Sequence, residues 1–136
     1  MNMSVSNPFI GVENFTTLQT RSMILQALGR EGEANAEMDK AIKDPSATVQ
    51  AIHQYGRSLL AAGKKEKAMG IFKYNAQKNP EEKFTPNVGL ARGYAAMGDK
   101  KNALKHWELA IKNLPEEQKQ FLPQYEAEVK KLKEGK

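Results

Sequence analysis

Two stretches of this chain repeat each other, and they decide the fold. Residues 55–80 read YGRSLLAAGKKEKAMGIFKYNAQKNP, and residues 90–115 read LARGYAAMGDKKNALKHWELAIKNLP. Positions of the same chemical type recur at an offset of 35 residues, and the pairs are Leu59 and Tyr94, Gly63 and Gly98, Ala68 and Ala103, Phe72 and Trp107, and Pro80 and Pro115. A period of this length indicates a helical repeat whose copies stack into one continuous core.

A more divergent copy precedes these two. Gly29, Ala34 and Met38 lie 34 residues before Gly63, Ala68 and Phe72. The chain is therefore predicted to hold three repeats, at residues 15–47, 49–82 and 84–117.

Each repeat is predicted to be a helical hairpin. Gly63 follows the first helix, at a turn where the left-handed backbone conformation is cheapest for glycine, and Pro80 stops the second helix. Phe72 is large because it fills the space toward the neighbouring repeat. Small residues allow the two helices of a hairpin to approach closely, and they are Ser22, Gly56 and Ala91 on first helices and Ala34, Ala68 and Ala103 on second helices.

The apolar positions follow helical spacing, and no strand pattern competes with them. Asn14 is predicted to cap the first helix, and Thr85 is predicted to cap the fifth, with Pro86 at its first position. A further helix within residues 118–134 is predicted to cap the last repeat, which makes residues 14–134 one domain after a flexible segment at 1–13. The other helices are predicted near residues 14–28, 31–43, 47–62, 65–78, 86–97 and 100–113.

Composition narrows the function classes. The chain has 136 residues and a formal net charge of +5, with lysine scattered among glutamate, which is typical of a solvated helix surface rather than a nucleic-acid footprint. Cysteine is absent, so no disulfide or thiolate metal site can form. No segment has the length and apolarity of a membrane span, and the first 15 residues lack the features of a signal peptide.

Catalytic and cofactor motifs are not found. His53 and His106 are the only histidines, and neither has a metal-binding partner at helical spacing. Phosphate-binding glycine loops and the GxSxG nucleophile motif do not occur. We therefore expect no enzyme activity, no cofactor and no bound metal.

The repeat positions resemble those of the tetratricopeptide (TPR) family. The matching residues are Gly56, Leu59, Gly63, Ala68, Phe72 and Pro80, and Leu90, Ala91, Tyr94, Gly98, Ala103, Trp107, Ala110 and Pro115. The resemblance implies an all-α fold, a right-handed α-α superhelix of three helical hairpins plus a C-terminal capping helix, and a protein-interaction function. Three positions depart from the family pattern: Arg21 stands at an apolar position, Pro45 comes one residue early, and Asn75 replaces a small residue.

A narrower resemblance concerns four short segments of the chain, of which HQY at residues 53–55 is one. SVSNPFIGVENFTT at residues 4–17, NVGLARGY at 87–94 and KLKEGK at 131–136 look like the C-terminal TPR tail of bacterial exported proteins that carry an N-terminal domain of unknown function. This resemblance implies that the chain is a piece of a longer protein in the periplasm or outside the cell. Without it, the expected location is the cytoplasm.

The first helices of TPR proteins line a concave groove. Arg57 and Arg92 occupy equivalent positions in adjacent repeats, with His53 one turn before Arg57, and such a donor-rich floor suits a carboxylate or an acidic peptide. The opposing interpretation, equally weighted, is that the arginines are ordinary solvated or ion-paired residues. By repeat position, the residues expected to be exposed in the groove are Gln19, Met23, Gln26, Gln50, His53, Gln54, Arg57, Leu60, Val88, Gly89, Arg92 and Ala96.

The predicted partner is a protein or peptide, and two alternatives stay open. One is self-association through the terminal helices, which allows a monomer or a weak homodimer. RNA binding ranks lower, because only two of the 21 basic residues are expected in the groove. The TPR clamp for chaperone tails requires Lys and Asn where this chain has Gln19 and Met23, so chaperone-tail binding is not predicted.

Overall fold

A computed structural model of the chain describes residues 13–134, and this part is all-helical, without a strand. The predicted flexible segment at 1–13 lies outside the described residues except for Glu13. The α-helices are α1 (Phe15–Ala27), α2 (Glu31–Ala41), α3 (Val49–Ala61), α4 (Lys65–Lys78), α5 (Thr85–Ala96), α6 (Lys100–Lys112) and α7 (Leu122–Lys133), and a 3-10 helix at Glu116–Phe121 precedes α7.

The predicted helices are confirmed: the ends of α1 to α6 lie within two residues of the predicted ends, and α7 begins at Leu122, four residues after the predicted start of the capping segment at residue 118. The first six form three hairpins, α1 with α2, α3 with α4 and α5 with α6. The turns of these hairpins place Gly29, Gly63 and Gly98 at φ angles of 79°, 81° and 82°. This left-handed conformation is the one expected from the recurrence of glycine at these three positions.

The helices group into two compact units, of which the first ends at Thr48 and the second begins at Val49. In the first unit, the predicted cap at Asn14 is confirmed: its Oδ1 accepts a hydrogen bond of 2.9 Å from the backbone N–H of Thr17. The Thr17 hydroxyl in turn accepts from the Asn14 N–H at 3.0 Å, which completes a capping box.

The departure at Arg21 is explained by ion pairs. Arg21 Nη1 lies 3.1 Å from a carboxylate oxygen of Glu13 and 3.8 Å from one of Glu37, so a half-exposed charge replaces the expected apolar contact. Close approach between α1 and α2 is retained one residue further on, where the buried Ser22 hydroxyl donates a 2.7 Å hydrogen bond to the Ala34 carbonyl.

The core of the second unit is built around two large aromatic residues. Phe72 on α4 is fully buried, and its ring occupies the space where side chains on Gly56 and Gly89 would lie. A Cβ on Gly56 would come within 2.4 Å of the Phe72 ring, and one on Gly89 within 2.5 Å. The absence of these two side chains therefore lets Phe72 pack between α3 and α5.

Trp107 on α6 is the second large residue, with 1% of its surface exposed. It belongs to a cluster with Phe84, Val88, Ala91, Ala110 and Leu114. The C-terminal helix α7 covers this cluster with one face, formed by Leu122, Tyr125, Val129 and Leu132.

Two local predictions need correction or explanation. Thr85 does not cap α5, because it is the first residue of that helix, after Phe84; its hydroxyl instead accepts a 3.0 Å hydrogen bond from Gln50 Nε2. Asn75, which departs from the repeat pattern, is fully buried and donates from Nδ2 to the Val49 carbonyl at 3.0 Å. A polar side chain is retained there because it satisfies the backbone of α3.

Candidate ligand-binding groove

Two adjacent cavities open in the second unit, and Arg57 on α3 and Arg92 on α5 line both. The smaller cavity, of about 260 Å³, is also lined by Gln50, His53, Gln54, Thr85, Gln118 and Tyr125. The larger cavity, of about 400 Å³, is also lined by Leu60, Ala61, Ala95, Trp107 and Glu128. The groove predicted in this part of the chain therefore divides into two compartments at the arginines.

The two arginines form no ion pair within the part of the chain that the structure describes. Arg57 is exposed, and neither it nor Arg92 makes a hydrogen bond or ion pair among residues 13–134. The guanidinium of Arg92 lies over the Trp107 ring, and its buried Nε lacks a hydrogen-bond partner. Of the two parts of the opposing interpretation, ion pairing is therefore not found among residues 13–134, whereas the solvated state describes Arg57.

The pKa of Arg92 is lowered in the folded protein by burial and by the nearby positive charge of Arg57. Burial has the largest effect and lowers this pKa, and the positive charge of Arg57 lowers it further. Glu128 and Tyr125 have smaller effects that raise the pKa. Because Arg57 makes the cation on Arg92 less favourable, the two guanidinium groups act on each other as like charges. An anion placed between them relieves this repulsion.

His53 is placed differently from the prediction. It lines the smaller cavity but is only 6% exposed, because its ring packs against Phe72 with the ring centroids 5.7 Å apart. Burial, followed by the charges of Arg57 and Arg92, lowers the pKa of His53 to about 4. The imidazole is therefore neutral near pH 7, and its buried Nδ1 has no hydrogen-bond partner.

The remaining candidates of the second unit divide into exposed and buried residues. Gln50 and Gln54 are exposed and line the smaller cavity, as predicted. The expected exposure of Val88 and Gly89 is wrong: Val88 belongs to the Trp107 cluster, and the Cα of Gly89 faces the Phe72 ring. Leu60 and Ala96 are half-buried.

Three candidates lie on α1, in the first unit. Gln19, Met23 and Gln26 are exposed, as predicted, and Met23 has 64% of its surface accessible. Met23 adjoins two further exposed apolar residues, Ile24 at 56% and Leu28 at 63%. This end of α1 therefore presents an apolar patch within the first unit.

The sequence interpretation missed the residues that the C-terminal segment contributes. Gln118 and Tyr125 line the smaller cavity, and Glu128 lines the larger one. A signal for them existed: residues 116–123 echo residues 81–86, which puts α7 in the place of a fourth first helix. First helices were the ones expected to line the groove.

Residues 13–134 hold neither a metal-binding cluster nor a membrane-spanning helix. Residues 13–134 contain no group of three or more acidic or histidine side chains that would hold a metal ion. His106 Nδ1 lies 2.7 Å from Asn87 Oδ1, and its ring stacks on Tyr94, so packing contacts account for this histidine. None of the described helices has the length and apolarity needed to cross a membrane.

Compared with protein-family models, curated proteins and solved structures, the chain shows no match.

Proposed function

We propose that this chain is a TPR-like solenoid, a right-handed superhelix of three hairpins and a cap, which acts as a protein-interaction module without catalytic activity. Its ligand is an acidic peptide segment of a partner protein, bound across Arg57 and Arg92. The observation that carries the proposal is that these two arginines line the same two cavities and form no ion pair among residues 13–134.

The chemistry of guanidinium groups supports an acidic ligand. A carboxylate accepts two parallel hydrogen bonds from an arginine, and such charge-assisted bonds are stronger than neutral ones. Arg92 has an unsatisfied buried Nε–H and a pKa lowered by burial and by Arg57. A bound carboxylate would satisfy the donor and offset the repulsion between the two cations.

The distribution of charge favours a peptide over RNA. The chain has 21 basic residues, but Arg57 and Arg92 are the basic residues that line the two cavities. Nucleic-acid binding generally needs many phosphate contacts along a basic face. Two guanidinium groups in open cavities suit one or two carboxylates of a peptide better.

The proposal is tested by measuring fluorescence polarisation of labelled peptides rich in Asp and Glu, alongside the same peptides with Asn and Gln. We expect the acidic peptides to bind the wild-type chain at pH 7 and their amide versions to bind about tenfold more weakly. Arg57→Gln should lower the affinity for the acidic peptides by about tenfold, since a charge-assisted hydrogen bond contributes about 1.5–3 kcal/mol.

Arg30→Gln is the matched control, because it removes the same charge. Arg30 is exposed, pairs with Glu33 in the first unit and lines neither cavity. This variant should bind as the wild type does. Equal affinities for Arg57→Gln and wild type would refute the proposal, as would an RNA oligonucleotide that competes with every acidic peptide.

A second candidate function is self-association, and the apolar patch of Met23, Ile24 and Leu28 favours it. Contiguous exposed apolar residues often mark protein interfaces. Sedimentation velocity over a hundredfold concentration range tests this candidate. A dimer that dissociates on substitution of Ile24→Lys would support it, and a monomer at all concentrations would refute it.

A further inference from the structure

The two cavities that share Arg57 and Arg92 differ in chemistry. The smaller one has no carboxylate among its described lining residues, and it offers the polar side chains of Gln50, His53 and Thr85 in addition to the arginines. The larger one brings together Leu60, Ala61, Ala95 and Trp107, with the carboxylate of Glu128 at its side. An acidic group is therefore favoured in the smaller cavity and opposed by Glu128 in the larger one.

We propose that the ligand is a peptide segment with two anchors, an acidic side chain in the smaller cavity and an uncharged apolar side chain in the larger. This inference rests on the proposed function and adds the order and type of the anchors. Apolar contact with Leu60 and Ala95 would stabilise the second anchor by removing its surface from water. The arginines stand between the two anchors and bind the first.

The position of the cavities along the helices sets the spacing of the anchors. On α3, Gln54 lines the smaller cavity and Leu60, six positions later, lines the larger one. On α5 the corresponding residues are Val88 and Ala95. Six or seven helical residues span about 9–10 Å, and an extended peptide advances about 3.3 Å per residue. The acidic and apolar anchors are therefore about three residues apart.

The test uses fluorescein-labelled Gly/Ser peptides that carry one Glu and one Leu at separations of one to five residues. Affinities are measured by fluorescence polarisation at pH 7. We expect the peptide with a separation of three residues to bind about tenfold more tightly than the same peptide with Leu replaced by Ser. A peptide with Lys in place of Leu that binds more tightly would overturn the inference, since Glu128 would then be the recognition element.

Variants of the larger cavity supply the second measurement. Ala95→Gln fills this cavity without changing charge, and it should reduce the affinity for the Glu/Leu peptide about fivefold while changing that for the Glu/Ser peptide less than twofold. Ala62→Gln is the control, because Ala62 is exposed near the end of α3 and lines neither cavity. It should leave both affinities unchanged.

The outcomes separate this inference from the proposed function. If Glu/Ser peptides bind through Arg57 and Leu adds nothing at any separation, the two-anchor ligand is refuted and the acidic-peptide site stands. If affinity rises with Leu but is independent of separation, the ordered arrangement is refuted. If no peptide binds and Arg57→Gln changes nothing, both proposals are refuted.

Discussion

The guanidinium carbon of Arg92 lies 5.3 Å from the centroid of the Trp107 ring, which is itself almost completely buried. The ring thus supports one face of the cation at the boundary between the two cavities. A planar guanidinium stacked on an aromatic face keeps its edge free for hydrogen bonds. This arrangement orients the donors of Arg92 before any ligand arrives.

We expect Arg92→Lys to keep the charge but to lose the stacking on Trp107 and the planar donor edge. The free energy of unfolding should fall by about 0.5–1 kcal/mol, the size of a cation–π contact, and the affinity for acidic peptides should fall several-fold. Urea unfolding and fluorescence polarisation measure the two effects. Arg57→Lys is the control for stability, because Arg57 makes no aromatic contact among residues 13–134, and its free energy of unfolding should be unchanged.

The buried imidazole of His53 makes the stability of the second unit depend on pH. Burial and the charges of Arg57 and Arg92 lower its pKa from 6.5 to about 4 in the folded protein. Because the unfolded chain binds the proton more readily, stability is greatest above pH 6.5 and falls as the pH is lowered toward 4. Between pH 7 and 4.5 the loss due to His53 is about 2–3 kcal/mol.

Urea unfolding followed by circular dichroism at pH 7 and pH 4.5 measures this loss. Carboxylates also titrate in this range, so the comparison is made with His53→Gln, which should lose less stability over the same interval by about 2–3 kcal/mol. His106→Gln is the control, because burial and Lys105 lower its pKa but it is less buried, and its effect should be smaller. An identical pH dependence for His53→Gln and wild type would contradict the neutral, buried imidazole.

The contact between Gly56 and Phe72 predicts opposite effects for two glycine substitutions. Gly56→Ala would place a methyl group 2.4 Å from the Phe72 ring, so we expect the free energy of unfolding to fall by about 1–3 kcal/mol through overpacking. Gly70→Ala, on α4, meets nothing within 4 Å and should instead raise it by about 0.5–1 kcal/mol. Thermal unfolding compares the two, and a stabilised Gly56→Ala variant would refute the close packing.

The buried Asn75 predicts a loss of stability on truncation. Asn75→Ala would remove the donor to the Val49 carbonyl and the acceptor for Asn79 Nδ2, so the free energy of unfolding should fall by about 1–3 kcal/mol. Asn113→Ala is the control, because Asn113 is exposed and its side chain donates to the Leu109 carbonyl; its effect should stay below about 1 kcal/mol. If Asn75→Ala were as stable as wild type, the buried hydrogen bonds of Asn75 would make no net contribution to stability.

The helical hairpins were predictable because their signals are local. The left-handed turns at Gly29, Gly63 and Gly98 depend on backbone conformation within a few residues, and they recur with the repeat. The cap at Asn14 is also local, because its partner Thr17 lies three residues away. Thr85 shows the limit of such signals. Its preference for a cap was outweighed by a hydrogen bond from Gln50, which lies 35 residues earlier in the chain.

The candidate site was predictable in part. Repeat equivalence between Arg57 and Arg92 identified two residues that line the same cavities. It did not identify the burial of His53 and Val88, because exposure on a first helix depends on what the neighbouring helices place against it. Phe72 packs on His53, and the Trp107 cluster includes Val88.

The sequence by itself determined the all-α character, the hairpin turns and the equivalent positions of Arg57 and Arg92 in adjacent repeats. These features follow from a 35-residue period and from the conformational limits of glycine and proline. Tertiary structure alone decided that the arginines form no ion pair within residues 13–134, that His53 is neutral near pH 7 and that Glu128 lines the larger cavity and not the smaller one. Charge pairing, desolvation and cavity shape arise from residues far apart in the chain, and only packing brings those residues together.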